Sequence, residues 1–157
     1  MIRNKYALTG LVAIATFAAL IIYRNNHGEQ YVSCAAHQII ERNTSHQNDM
    51  LNIFIILNMN KGGMAYIKYQ GFYINNNVKT IVNRRLTYSY QQQKNNSFFE
   101  FTLNNDTKET DDNTQDRDFY SISENHIGKT IIGIHSSGDR ALIVGNTFQP
   151  RFVCIRI

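Results

Sequence analysis

The sequence predicts a two-part protein: one N-terminal membrane-spanning helix, then an all-β domain of antiparallel strands curled or closed into a barrel, with at most one short helix. Three observations predict it. An uncharged apolar run extends from Tyr6 to Tyr23. Beyond it, apolar residues recur with period two in strand-length segments. Asn- and Gly-rich turn signals separate those segments: Asn60-Lys61-Gly62-Gly63, Asn75-Asn76-Asn77, Asn104-Asn105-Asp106 and Ser136-Ser137-Gly138-Asp139. The division is therefore residues 1–6 as an N-terminal tail, 7–23 as the span and 24–157 as one exported domain.

Ala7 to Tyr23 is 17 residues, a helix of about 26 Å at about 1.5 Å per residue. That suffices for a hydrocarbon core when tyrosines sit at the interface. Arg3 and Lys5 precede the run and only Arg24 follows it closely. The positive-inside rule then places the N-terminus in the cytoplasm and the rest across the membrane. A cleaved signal peptide needs a small-x-small site after the apolar run. Here Ala13-Ile14-Ala15 lies inside it and Leu20-Ile21-Ile22-Tyr23 is bulky, which favours an uncleaved anchor. A helix buried in a soluble core usually carries a polar face, and this run has none. Thr9/Ala13 and Ala15/Ala19 have the spacing that seats a partner helix, though an Ala-rich segment produces such spacings by chance. Lipidation at Cys34 is disfavoured, since it stands eleven positions beyond Tyr23.

The strands follow in order. Tyr31 to Glu41 is the first candidate. Leu51, Ile53, Ile55 and Leu57 line one face of Met50 to Asn58, and Met64 to Ile74 follows. Lys79 to Asn83 is next, and then Leu86, Tyr88 and Tyr90 alternate with Arg85, Thr87, Ser89 and Gln91. Phe99, Phe101 and Leu103 alternate with Phe98, Glu100 and Thr102. Lys129 to His135 and Ala141 to Val144 precede a last segment in which Val153, Ile155 and Ile157 alternate with Phe152, Cys154 and Arg156. The exception is Asn104 to Asp118, which holds six of the twelve acidic residues. Its composition predicts a solvated loop with one helical turn starting near Thr114, and it lacks the Gly of a calcium-binding EF-hand loop.

Charge and motifs exclude several functions. With residues 1–23 set aside, 14 basic and 12 acidic residues remain, no footprint for nucleic acid. Gly128-Lys129-Thr130 ends like a phosphate-binding loop, but position 123 is Ser where that loop needs Gly. His135, Ser136 and Asp139 are triad residue types crowded into one turn, where they cannot act as base, nucleophile and orienter together. Gly-x-Ser-x-Gly is absent. No catalytic residue, cofactor or metal site is therefore expected, since neither Cys-x-x-Cys nor His-x-x-x-His occurs either.

Cys34 in the first exported strand and Cys154 in the last can join the two ends of the domain in an oxidising compartment. The alternative is two buried free thiols, as the opposite membrane orientation would require. Among the five His, His37 and His135 fall in or beside strands, where charging would disturb packing. They are the candidate acid sensors, because imidazole titrates near pH ~6.5. Tyr66, Phe72, Tyr88, Tyr90, Phe99 and Phe101 are candidates for core, for a partner or ligand surface, or for both.

A short basic start, one membrane helix, Tyr31-Val-Ser-Cys34, the Gly-aromatic segment Gly62 to Gly71, the Arg-aromatic segment Asn83 to Tyr90 and the terminal Pro150-Arg-Phe-Val-Cys154 occur in that order. This order resembles the FidL-like family of small enterobacterial inner-membrane proteins, which includes MyfF- and PsaF-type accessory proteins of fimbrial operons. The resemblance implies a partner and no reaction. Such proteins look like the small member of ToxR/ToxS-type pairs, in which a membrane-spanning regulator carries a cytoplasmic winged-helix DNA-binding domain and a periplasmic domain. The accessory protein binds and protects that periplasmic domain in conditions such as acidity or bile, and the two together form a lipocalin-like barrel. The expectation is a single-pass inner-membrane protein with a periplasmic barrel that contacts the regulator's periplasmic domain and membrane helix, with no direct contact to nucleic acid. A small amphiphile such as a bile salt is the expected ligand of the second reading, a barrel with an aromatic interior. An envelope enzyme such as a hydrolase is the third, and a purely structural envelope protein the fourth.

Overall fold

Strands with one apolar face bury it by curling until their two edge strands meet, which also removes the exposed edges. The computed structural model describes residues 16, 30–44, 47–94, 97–123, 128–146 and 148–157. In it the chain closes as an antiparallel barrel whose eight strands follow one another in sequence order. The strands are β1 (Gln30–Thr44), β2 (Gln47–Asn60), β3 (Met64–Asn75), β4 (Val78–Gln92), β5 (Phe98–Lys108), β6 (Lys129–Ser137), β7 (Ala141–Gly145) and β8 (Pro150–Arg156). One helix, α1 (Asp116–Ser123), lies between β5 and β6. The predicted span 7–23 lies outside the described residues, Thr16 excepted. Among the described residues no helix is long and apolar enough to cross a membrane.

The period-two faces point inward as predicted. Leu51, Ile53, Ile55 and Leu57 of β2, Leu86 and Tyr88 of β4, and Phe99 and Phe101 of β5 are buried in one continuous core. Each such side chain contributes about 1.5–3 kcal/mol when withdrawn from water. The two segments separated at Asn83 are one strand, β4. Arg84 occupies an inward position between Val82 and Leu86, so a charge interrupts the apolar alternation while the backbone runs on. In β8 the inward residue is Cys154, opposite Leu142, while Val153 and Ile155 face out.

Two turns show local chemistry setting the register. Asn76 and Asn77 have φ of 47° and 69° between the paired Asn75 and Val78, the two-residue loop that matches strand twist. Gly71 faces Ile53 on β2, and a Cβ there would lie 2.0 Å from the Asn52 carbonyl oxygen. Only a residue without a side chain allows that approach.

The wall is uneven. Strands β1 to β5 run for 11 to 15 residues, whereas β6, β7 and β8 have 9, 5 and 7. The connection between β5 and β6 covers the end where the low wall stops. Asp116 and Asp118 in the first turn of α1 suit its positive N-terminal end. Phe119 and Ile122, three apart on one face, are buried. The acidic segment is the predicted solvated loop only in part. Asn105 and Lys108 instead continue β5 opposite Thr87 and Arg84, whereas 109–115 is a loop exposed at most positions and a helix begins at Asp116, near the predicted turn.

Candidate interaction site at the barrel seam

The barrel closes where β1 meets β8. Cys34 and Cys154 form a disulfide there, with Cα atoms 5.5 Å apart. Pairing across the seam is brief: Cys34 lies opposite Arg156 and Ala35 opposite Ile155, and the Ile157 N–H donates to the Ser33 carbonyl. β1 continues to Thr44, paired with β2 along its length. Among the described residues no strand pairs with its other edge beyond Ala35. Side chains reach across on that side: Gln38 Nε2 donates to the Arg151 carbonyl at 3.0 Å, and Arg42 Nη1 to Ser121 Oγ at 3.2 Å.

The comparable stretch of β4 is treated differently. Its residues 78–83 have no β5 partner, yet the acidic connection caps that edge. The Asn113 and Thr114 N–H groups donate to the Ile81 carbonyl, and the Glu109 N–H to the Asn83 carbonyl. The Ile81 N–H donates to Asn113 Oδ1 at 2.6 Å, and the Asn83 N–H to Asp112 Oδ2 at 3.0 Å. An edge strand is a ready template for another strand. This fold hides one and leaves the other.

What holds the cap is Arg84, fully buried. Its Nε and Nη2 donate to Asp112 Oδ2 and Oδ1 at 2.9 and 3.0 Å. Nη1 donates to Asp116 Oδ1 at 3.1 Å and Asp106 Oδ2 at 3.4 Å, and Nη2 also to the Thr114 carbonyl at 3.1 Å. The guanidinium stacks 4.3 Å from the Phe119 ring centroid. Burial alone would lower the Arg84 pKa, but the hydrogen bond and charge of Asp112, then Asp106 and Asp116, raise it above the ordinary value. For Asp112 burial likewise opposes ionisation. The hydrogen bonds from Arg84 and the Asn83 N–H outweigh it and hold the carboxyl below its usual range. Tyr120 donates to Asp106 Oδ2 at 2.6 Å, and burial followed by that carboxylate pushes its hydroxyl pKa up. Salt-bridged charges of this kind fix one arrangement, because breaking the set would strand a buried charge.

Between the open edge of β1, the start of β8 and the end of α1 lies a cavity of about 240 Å³, lined among others by Gln38, Ile40, Ile53, Tyr69, Arg151 and Phe152. Its lining mixes apolar Ile40, Ile53 and Phe152 with polar Gln38 and Arg151. The barrel interior beneath is filled by core side chains.

The sequence-predicted residues are not brought to one place. Tyr88, Phe99 and Phe101 are core, and Tyr90 stands half-buried with its hydroxyl donating to the Asn60 carbonyl. Tyr66 and Phe72 lie on the outer face of β3, each under a cation: Arg85 at 5.5 Å and Lys79 at 4.0 Å from the ring centroids. His37, outside β1, stacks on Phe54 with centroids 4.6 Å apart and lies 2.8 Å from Asn52 Oδ1. His135, outside β6, meets Phe98 edge-on at 5.5 Å. Strands β7 and β8 lie between the two histidines. Among the described residues no group of His, Cys, Asp and Glu is arranged to hold a metal ion. Sequence reasoning missed the Arg84 hub. Its signal was present as the one basic pair, Arg84-Arg85, inside a strand, followed by a cluster of acids. No family model matches the chain, and no curated protein does.

Proposed function

We propose that this chain is a membrane-anchored periplasmic accessory protein that binds and stabilises the periplasmic domain of a transmembrane, winged-helix transcription regulator of virulence or fimbrial genes. The observation that carries the reading is the seam: a covalently pinned β1 whose edge beyond Ala35 stays open while the equivalent edge of β4 is capped. Addition of a partner strand to such an edge is an ordinary mode of recognition. Anchoring both proteins in one membrane raises their effective concentration, so a modest contact suffices. The order of motifs, which resembles that of the FidL-like family, supports the same partner.

The test is a photo-crosslinking side chain at Gln38 or Ile39 in the full chain, co-expressed with a membrane-spanning winged-helix regulator from the same genome. Capture from these positions, and none from Val78 at the far hairpin, is the expected result. A chain that neither crosslinks nor co-purifies sinks the reading.

The cavity of about 240 Å³ beside the same edge favours a second, compatible reading, in which a small amphiphile binds with its alkyl part on Ile53 and Tyr69 and its head near Gln38 and Arg151. Its size is below the roughly 300–1,000 Å³ of drug-sized sites. A flexible acyl chain therefore fits better than a rigid bile-salt skeleton. Native mass spectrometry that retains neither ligand class would remove this reading.

A further inference from the structure

In an up-and-down barrel alternate hairpins share one end. Here the β2–β3, β4–β5 and β6–β7 hairpins stand at the end where β1 begins and β8 finishes. Each carries one cation: Lys61, Lys94 and Arg140, all exposed. Arg156 at the end of β8 adds a fourth, its Nη2 donating to Ser136 Oγ at 3.0 Å. Among the described residues of these hairpins and strand ends, Asp139 is the one acidic side chain. Exposed Tyr31 and Met64 stand at the same end. Between the hairpins opens a mouth of about 380 Å³ lined by Tyr31, Lys61, Tyr90 and Phe99 among others.

The opposite end carries the acids. Glu109, Asp111, Asp112, Asp116 and Asp118 all lie in the β5–β6 connection and its helix. Arg84 and Lys108 pair with Asp112 and Asp116 there, and Arg117 lies beside Asp118. Five acids thus stand against three cations, and the two ends differ in the sign of their charge.

We propose that the basic end is a docking face for an anionic lipid bilayer. The argument rests on the membrane-anchor reading above, and the sequence supplies the geometry. Tyr23, the last residue of the apolar run, is seven positions before Gln30, where β1 begins. Seven residues span at most about 25 Å. That tether keeps this end close to the surface. Cations near anionic headgroups are attracted over about one Debye length, roughly 8–10 Å. Tyr31 presents an apolar ring with a polar tip to the interface, and exposed Met64 adds apolar surface beside it. The acidic end is repelled, so the same field that draws one end down holds the seam side-on and the far end away.

The chain contains no Trp, which permits one reporter at a time. Met64→Trp places it on the basic end, where Met64 is 40% exposed, and Val78→Trp on the far hairpin, where Val78 is 64% exposed. The full chain is reconstituted in vesicles of phosphatidylglycerol and phosphatidylethanolamine carrying brominated acyl chains. Quenching of the Met64→Trp reporter alone, relieved by salt and absent in phosphatidylcholine vesicles, is the expected result. Adding Lys61→Gln, Lys94→Gln and Arg140→Gln lowers the docked-to-free ratio on the order of a hundred-fold, about five-fold per cation. Equal quenching of the two reporters, or quenching indifferent to lipid charge and to these substitutions, overturns the proposal. Alkaline carbonate extraction reads the anchor separately. A chain that resists extraction yet shows no selective quenching refutes docking and leaves the anchor. A chain that is extracted, yet is quenched selectively on anionic vesicles, refutes the anchor and leaves docking.

Discussion

Arg84 and Asp112 meet as a fully buried, two-pronged pair, at 2.9 and 3.0 Å, though 28 residues separate them in the chain. The pair fastens the β5–β6 connection to the barrel wall and sets Phe119 of α1 over the core. Arg84→Ala leaves Asp112 buried without its partner and should cost about 3–5 kcal/mol. Urea unfolding followed by circular dichroism measures it. A loss under about 1 kcal/mol would show the connection to be held by its backbone bonds to Ile81 and Asn83 instead.

The same pair sets an acid limit. The folded-state pKa of Asp112 is depressed, so the unfolded state binds its proton first as pH falls. Its contribution to stability is complete above the ordinary carboxylate range, near pH ~4, and fades as pH drops through the depressed value. Urea midpoints should therefore stay flat across this carboxylate's contribution in mild acid and fall steeply below pH ~4. The Asp112→Asn variant, less stable throughout, should lose part of that steep fall. An identical slope in both would assign it to other carboxylates.

Joining Cys34 to Cys154 closes a sequence separation of 120 residues. Chain-entropy arithmetic for such a loop gives about 4–5 kcal/mol. Cys34→Ser with Cys154→Ser, or reduction of the native chain, should lower the unfolding free energy by up to that amount. The β1–β8 pairs should then lose amide-exchange protection before β2–β4 do. Uniform loss of protection around the barrel would contradict this order.

Gly71→Ala must push a methyl group toward the Asn52 backbone oxygen. A backbone atom cannot swing aside as a side chain can, so β2 and β3 separate locally. The expected cost is about 1–3 kcal/mol, as for overpacked cores, read as a lower thermal midpoint. An unchanged midpoint would mean that the two strands slide without loss.

Much of the barrel is legible in the sequence, for a physical reason. Leu51 to Leu57, Leu86 to Tyr90 and Phe99 to Leu103 each turn every second residue inward, Tyr90 and Leu103 being half-buried, and period two leaves few other solutions. The turns at Asn76-Asn77 and Gly138 state their conformations locally. Two things were not legible. Arg84 falls in line with Leu86 and Tyr88, but the acids that make a buried cation tolerable lie beyond a hairpin, in a segment that looks like solvent-loving loop. The open edge of β1 is equally silent, because strand length says nothing about how far a neighbour runs alongside. The candidate site is made of that mismatch, 15 residues in β1 against 7 in β8.

Every strand of this barrel pairs with its neighbour in sequence except at one joint, where β8 returns to β1. The cysteines stand at that joint. Each hairpin can form without knowledge of the rest, but Cys34 and Cys154 come face to face only when all the turns have been made in register. The cystine is then a record of completed winding. A chain that winds incompletely or slips a strand keeps its thiols unpaired, while a finished one has none left to react.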